Sequence, residues 1–184
     1  KLFGKNFLKI KNIEIFYKYL LELQTREKLK LNENNYIFLK THSGLFNILD
    51  NPFTTEENTL GFFYIIRDPR DVCISWSKHT GLSIDESIKF MLNENSLLHW
   101  KESSNKKNYF INENRPRSYV SSWDRHVISW TQVNWRKPYK VFRFEDLVYE
   151  KKDTTFKIIN FFEEKYNFKF TNKEEKISNI IKTT

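Results

Sequence analysis

Apolar residues recur at helical spacing in three stretches of the chain, and each stretch predicts an amphipathic helix whose apolar face packs on a core. The first stretch, residues 11–25, has its apolar positions at Ile13, Phe16, Leu20 and Leu23. The second, residues 122–135, has them at Trp123, Val127 and Trp130. The third follows Asp153, a candidate N-cap, and has them at Phe156, Ile159, Phe162 and Tyr166.

Short, continuously apolar runs alternate with these helical stretches. They lie at residues 36–39, 61–66 and 139–144, and each is rich in aromatic and β-branched residues. Runs of this length predict strands, and the run at 61–66 predicts a strand that is buried on both faces, as in a parallel sheet.

Polar residues mark the starts of further helices. The Asp-Pro pair at 68–69 suits the cap and the first position of a helix. Ser83 with Glu86, and Thr171 with Glu174, are capping-box patterns. Because predicted strands alternate with predicted helices, we expect one α/β domain over residues 1–184 with a mainly parallel sheet.

Composition and charge narrow the classes of protein that fit this pattern. Aromatic residues make up 17% of the 184 residues and hydrophobic residues 39%, which excludes a disordered chain. The net charge of +8 suggests an anionic partner, but the basic residues are spread along the chain, so a solvated basic surface also explains it. No apolar stretch approaches the roughly 18 residues of a membrane-spanning helix.

Cysteine and histidine usage argues against a structural metal site. Cys73 is the single cysteine, so neither an intrachain disulfide nor a cysteine metal cluster can form. The four histidines have no metal-ligand spacing. We therefore expect no metal, and a reducing, cytoplasmic location.

A candidate phosphate site follows the 61–66 run. Arg67 ends the predicted strand, and Ser75 lies about two turns into the next helix. An arginine fork, a serine hydroxyl and the N–H groups of a helix start together suit a phosphate. The alternative is that Arg67 pairs with Asp68 or Asp71, and that Ser75 is an ordinary helix residue.

A second candidate site follows the 36–39 run. Lys40 and His42 are two residues apart, so an extended chain would direct both side chains to one side. Histidine can take a proton near neutral pH, and lysine can stabilise negative charge on a transferring group. The alternative is a solvent-facing loop mouth. His126, within the 122–135 helix, fits a structural histidine better than a catalytic one.

Taken in order, these motifs resemble those of the sulfotransferases that use 3′-phosphoadenosine 5′-phosphosulfate (PAPS). The Lys-Thr-His of that family matches residues 40–42, and its Arg-x-x-x-Asp-Val-x-x-Ser matches residues 67–75. Its Ser-Trp-x-x-His-Val-x-x-Trp matches residues 122–130, and its aromatic-Glu-Asp matches residues 144–146. The resemblance covers roughly residues 36–184.

The resemblance implies a fold and a division of roles. The fold would be a three-layer sandwich of the P-loop NTPase-like type. His42 would be the general base that deprotonates the acceptor, and Lys40 would steady the sulfuryl group. Arg67 and Ser75 would bind the 3′-phosphate of PAPS, and adenosine 3′,5′-bisphosphate (PAP) would be the product. No metal would be needed.

Two further residues would contact the adenine side of the donor. Thr184 matches the threonine of the family's Thr-Ser-Phe element. Tyr119 lies one residue out of register with a tyrosine that stacks near the adenine in some relatives.

Some family motifs are not found in the sequence. The Pro-Lys/Arg-Ser-Gly-x-Thr-Trp loop does not precede Lys40, and the Gly-Lys-Asn at residues 4–6 cannot form its cradle. The later Arg-Lys-Gly segment is also not found. We therefore expect a piece of the domain that lacks both ends, binds PAPS weakly and transfers slowly or not at all.

We expect the acceptor to be a small molecule or a glycan, held by residues 43–58 and 94–118 as walls and lid. The alternatives are an inert nucleotide-binding module or truncated remnant, a basic nucleic-acid-binding domain and a P-loop phosphotransferase. The last two lack their motifs, so we expect no nucleic-acid partner.

Overall fold

The structure is a computed structural model that describes residues 13–32, 35–98 and 118–183. Thr184 and most of the predicted lid, residues 99–117, lie outside the described residues.

Helices and short strands alternate along the described chain. In order they are α1 (Ile13–Leu23), β1 (Asn47–Ile48), β2 (Asn51–Pro52), β3 (Phe62–Ile66), α2 (Pro69–Thr80), α3 (Ile84–Leu92), β4 (Leu97–Leu98), β5 (Ser118–Tyr119), α4 (Trp123–Thr131), β6 (Tyr139–Arg143), α5 (Phe144–Tyr149), α6 (Lys151–Tyr166) and α7 (Lys173–Thr183). The predicted helices at 11–25 and 122–135 and the predicted strands at 61–66 and 139–144 are thereby confirmed.

The chain forms two compact units. The first comprises the described residues of 1–60 and 68–137, and the second comprises residues 61–67 and those described of 138–184. The first unit therefore contains α1 to α4 and two antiparallel strand pairs, β1–β2 and β4–β5. The second contains the parallel pair β3–β6 and the helices α5, α6 and α7.

A chain of aromatic rings forms the core of the first unit. Phe16 and Tyr17 of α1 are buried, and their rings meet edge to face at 5.8 Å. Tyr17 continues to Phe53 at 6.1 Å, and Phe53 to Trp130 of α4 at 6.2 Å. Aromatic pairs in this geometry stabilise beyond the apolar area that they bury. The two helices thus meet through Phe53, on the α1 side by Tyr17, which the predicted apolar face did not include.

Local capping fixes the ends of α2 and α3. The Asp68 carboxylate accepts the Arg70 N–H, and Gly81 ends α2 with a left-handed φ of 75°. Ser83 and Glu86 form the predicted capping box at the start of α3. Both predicted helix starts are confirmed.

The second unit is built on five registered residue pairs of β3 and β6. The register runs in parallel from Phe62 opposite Tyr139 to Ile66 opposite Arg143. The Phe63 ring contacts those of Phe142, Phe161 and Phe162, at 5.6, 5.0 and 5.3 Å. The apolar face of α6 therefore covers one side of this strand pair.

The strand predicted at residues 36–39 is wrong. These residues are neither helix nor strand, and the Phe38 side chain is 76% exposed. An apolar run forms a strand only where a neighbouring strand can pair with it and another layer can cover it. For the same reason, burial of the 61–66 strand on both faces is wrong at Ile65, which is 54% exposed.

Two predicted helix starts are shifted. The helix α6 begins at Lys151, so Asp153 lies in its first turn rather than at its cap. The helix α7 begins at Lys173, and the Asn172 carbonyl accepts the Lys176 N–H, which makes Asn172 rather than Thr171 the N-cap. Phe144, predicted as the last strand residue, opens α5 instead.

The structure confirms an α/β chain with a parallel strand pair, but not a complete sandwich. Among the described residues, the sheets are β1–β2, β3–β6 and β4–β5, each of two strands. No helix in the described ranges is long and apolar enough to cross a membrane.

Candidate functional site

The Lys-Thr-His loop, residues 40–45, is irregular in structure and held by its own turn. The Ser43 N–H donates to the Thr41 hydroxyl at 2.9 Å, and the Gly44 N–H donates to the Tyr119 carbonyl at 2.9 Å. Lys40 and His42 are both exposed, while Ser43 is 3% exposed. The loop thus buries its small residues and leaves the two predicted chemical groups at the surface.

Three side chains of α4 hold this loop by its backbone. His126 Nε2 lies 3.2 Å from the His42 carbonyl oxygen. The Leu45 N–H donates to Ser129 Oγ at 3.0 Å. Trp130 Nε1 donates to the Ser43 carbonyl at 3.0 Å. Their spacing of i, i+3 and i+4 puts all three on one face of the helix.

Gly44 lies against an aromatic pair. A Cβ on Gly44 would overlap the Phe46 ring. That ring meets the Tyr119 ring edge to face, at 5.1 Å. A side chain at this position would therefore require the Phe46 ring to move from its place against Tyr119.

Tyr119 has contacts that support the loop. It pairs with Leu97 in the β4–β5 ladder, and its hydroxyl donates to the Glu94 carbonyl at 2.8 Å. These contacts explain its position without a ligand. Adenine stacking by Tyr119 stays a prediction, and so does the role of Thr184, which lies outside the described residues.

Burial changes the acid–base behaviour of two groups behind the loop. Partial burial lowers the pKa of His126 from its usual 6.5, although its hydrogen bond to His42 opposes that shift. Burial also raises the pKa of Tyr17. The His126 ring is therefore neutral near pH 7, which suits the structural role that the sequence suggested.

Arg67 directly follows β3, as predicted. The parallel register ends with Ile66 opposite Arg143. The next residues are therefore Arg67 after β3 and Phe144 after β6. The Arg67 guanidinium carbon lies 4.4 Å from the centre of the Phe144 ring. The guanidinium is planar in itself, and its contact with the ring restricts where this planar group lies, which suits recognition of a phosphate.

The start of α2 carries a carboxylate. Asp68 accepts the Arg70 backbone N–H at 2.8 Å and pairs with the Arg70 guanidinium at 2.6 Å. These hydrogen bonds lower the pKa of Asp68 to about 2. The Arg70 N–H, one of the helix-start donors expected to bind a phosphate, therefore already donates to Asp68. Ser75 is exposed in the second turn of the same helix.

The structure brings some predicted residues together and adds others. His42 and Tyr119 lie in the first unit with the supporting residues of α4, and Arg67 lies in the second with Phe144. Phe144 and Gly44 were not predicted from the sequence as supporting residues, and no contact partner was predicted for His126. The repeated i, i+3, i+4 set of polar side chains on α4 is the signal that could have found its loop contacts.

Comparison with known proteins adds one finding. A family model described as the sulfotransferase domain matches residues 4–184. No curated protein and no solved structure matches the chain significantly.

Proposed function

The chain belongs to the sulfotransferase domain family, and from that premise we propose that it transfers a sulfuryl group from PAPS to an acceptor hydroxyl or amine. Sulfuryl transfer in general follows from the family, whose members act on small-molecule acceptors. The proposal goes beyond the family in three respects: it names PAPS as the donor, His42 as the base and a hydroxyl or amine as the acceptor group.

The observation that carries the proposal is the connection between two family motifs. The Lys-Thr-His loop and α4, which contains the Ser-Trp-x-x-His-Val-x-x-Trp motif, are joined by hydrogen bonds across 84 to 87 residues of sequence. The helix holds the loop backbone while the side chain of His42 stays exposed. A fixed backbone under an accessible imidazole is the arrangement that a general base needs.

His42 and Lys40 would perform the chemistry. The His42 imidazole takes the proton from the acceptor while the acceptor atom bonds to sulfur and the bond from sulfur to the phosphate oxygen breaks. Lys40 offers a positive charge to the oxygens of the transferring group. PAPS supplies the sulfuryl group and leaves as PAP.

Arg67 and Ser75 would bind the 3′-phosphate of the donor. The resemblance pairs these two residues; taken singly, the Arg67 guanidinium over the Phe144 ring and the exposed Ser75 hydroxyl each have hydrogen-bond donors that a phosphate accepts. The proposal also includes the complete three-layer sandwich of the family and a reaction that needs no metal.

A transfer assay tests the role of His42. The chain is incubated with ³⁵S-labelled PAPS and a panel of phenols, alcohols, sugars and amines, and label transfer is counted. We expect slow transfer that falls by about 100- to 10,000-fold in His42→Ala, because the acceptor then keeps its proton. His79→Ala, at an exposed histidine of α2, is the matched control and should leave the rate unchanged. Equal rates in His42→Ala and the unmodified chain would refute the role of the base.

The second candidate is a nucleotide-binding module without transfer activity. This candidate keeps Arg67 and Ser75 as phosphate-binding residues and needs no catalytic base. PAP binding with no label transfer to any acceptor would favour this candidate over the enzyme.

A further inference from the structure

His126 is the α4 side chain that contacts residue 42 itself. Its Nε2 lies 3.2 Å from the His42 carbonyl oxygen, which is bonded to the backbone carbon next to the Cα that carries the His42 imidazole. Ser129 and Trp130 contact Leu45 and Ser43 instead. Among these three contacts, that of His126 bears most directly on the direction in which the His42 side chain leaves the backbone.

We infer that His126 is a positioning residue for His42, and that its Nε2–H, by donating to the His42 carbonyl, fixes the orientation in which the His42 imidazole meets the acceptor. The inference rests on the proposed function, because it takes His42 as the base. It gives a specific task to a histidine that touches no reacting atom.

The chemistry of the contact explains why a histidine suits this place. A neutral imidazole has one N–H, and the carbonyl contact selects the tautomer with the hydrogen on Nε2. A neutral ring donates this hydrogen bond without adding a positive charge beside His42. Positive charges on the two histidines repel each other. A cationic donor at this place would therefore disfavour the uptake of a proton by His42.

The competing explanation is that His126 only joins the loop to the helix. Ser129 allows the two to be separated, because it also binds the loop backbone but does so at Leu45, beyond the base. A general loosening of the loop would follow from the loss of either side chain. A misdirected His42 would follow from the loss of His126 alone.

Steady-state transfer kinetics on variants of the full chain test the inference. His126→Leu removes the donor, and we expect kcat to fall by about 10- to 100-fold while KM for PAPS stays nearly constant, because the base is displaced but the donor site is not. His126→Gln restores an N–H at a similar reach and should recover most of kcat. Ser129→Ala loosens the loop beyond the base, so it should lower stability and reduce kcat by less than His126→Leu does.

A second measurement does not require turnover. With ¹³C-labelled histidine, the ring resonances of His42 should shift in His126→Leu and return to their original positions in His126→Gln. His126→Asn, whose amide is too short to reach the carbonyl, replaces the leucine variant if that chain does not fold. Complete lack of transfer in every chain would count against the proposed function, while the resonances would still decide the role of His126.

Two results would overturn the inference. One is an equal loss of kcat, or an equal shift of the His42 resonances, in His126→Leu and Ser129→Ala. The other is failure of His126→Gln to recover either quantity in a chain that folds normally.

Discussion

At the scale of single residues, the loop that carries His42 depends on side chains far away in sequence. His126 gives up part of its hydration to donate to a backbone carbonyl, and the cost appears as a lowered pKa. Arg67 depends in the same way on Phe144, whose ring lies under its guanidinium. His42 and Arg67 are therefore each supported by a contact that only the folded chain reveals.

The lowered pKa of His126 predicts how stability changes with pH. The unfolded chain binds a proton at His126 near pH 6.5, and the folded chain does so only at lower pH. The contribution of His126 is therefore fully present above pH 6.5 and is lost as the pH falls through the folded-state pKa. Urea unfolding between pH 5 and 8 should show the free energy of unfolding fall toward the acidic end.

Substitution isolates that contribution. In His126→Gln the fall below pH 6.5 should be smaller than in the unmodified chain, since no proton is taken up at this position. His79→Gln, at an exposed histidine, should keep the original slope. Identical slopes in all three chains would disprove the prediction.

The sequence named candidate chemical residues but not the contacts around them. Lys40, His42, Arg67 and Ser75 became candidates because motifs concentrate chemistry in short stretches. The contact of His126 with the loop and that of Phe46 with Tyr119 depend on tertiary structure, which no short stretch encodes. The roles of the four motif residues stay predictions.

At the scale of elements, local signals decided which predictions succeeded. The starts of α2 and α3 were correct because Asp68 and Ser83 cap their own helices. The run at 61–66 became β3 because β6 pairs with it over its full length. The equally apolar run at 36–39 did not become a strand, and the two-residue strands were missed because they carry no periodic signal.

The capping box of α3 gives a direct test of this local control. Ser83→Ala removes the acceptor for the Glu86 N–H, and we expect the free energy of unfolding to fall by about 1 kcal/mol. Glu86→Gln keeps a side chain that can complete the box and should cost less. Urea unfolding at pH 7 measures both, and an unchanged midpoint in Ser83→Ala would show that α3 does not depend on its cap.

At the scale of the whole molecule, the chain is basic, and its net charge of +8 allowed several kinds of anionic partner. The sulfotransferase domain match over residues 4–184 assigns the chain to one reaction class, sulfuryl transfer. The motif order could be predicted from the sequence, but the size of the sheet could not, because strand pairing depends on residues distant in sequence. The single domain and the cytoplasmic location stay predictions.

The measurement that tests the central claim most directly is calorimetric titration of the chain with PAP and with adenosine 5′-monophosphate, which lacks the 3′-phosphate. We predict weak binding of PAP that exceeds binding of the monophosphate, and a loss of about 10- to 100-fold in PAP affinity in Arg67→Ala. Arg125→Ala, which removes an equal charge from an exposed ion pair with Glu94, should bind PAP as the unmodified chain does. Equal affinities for the two nucleotides, an unchanged affinity in Arg67→Ala, or no PAP binding at all would contradict the account.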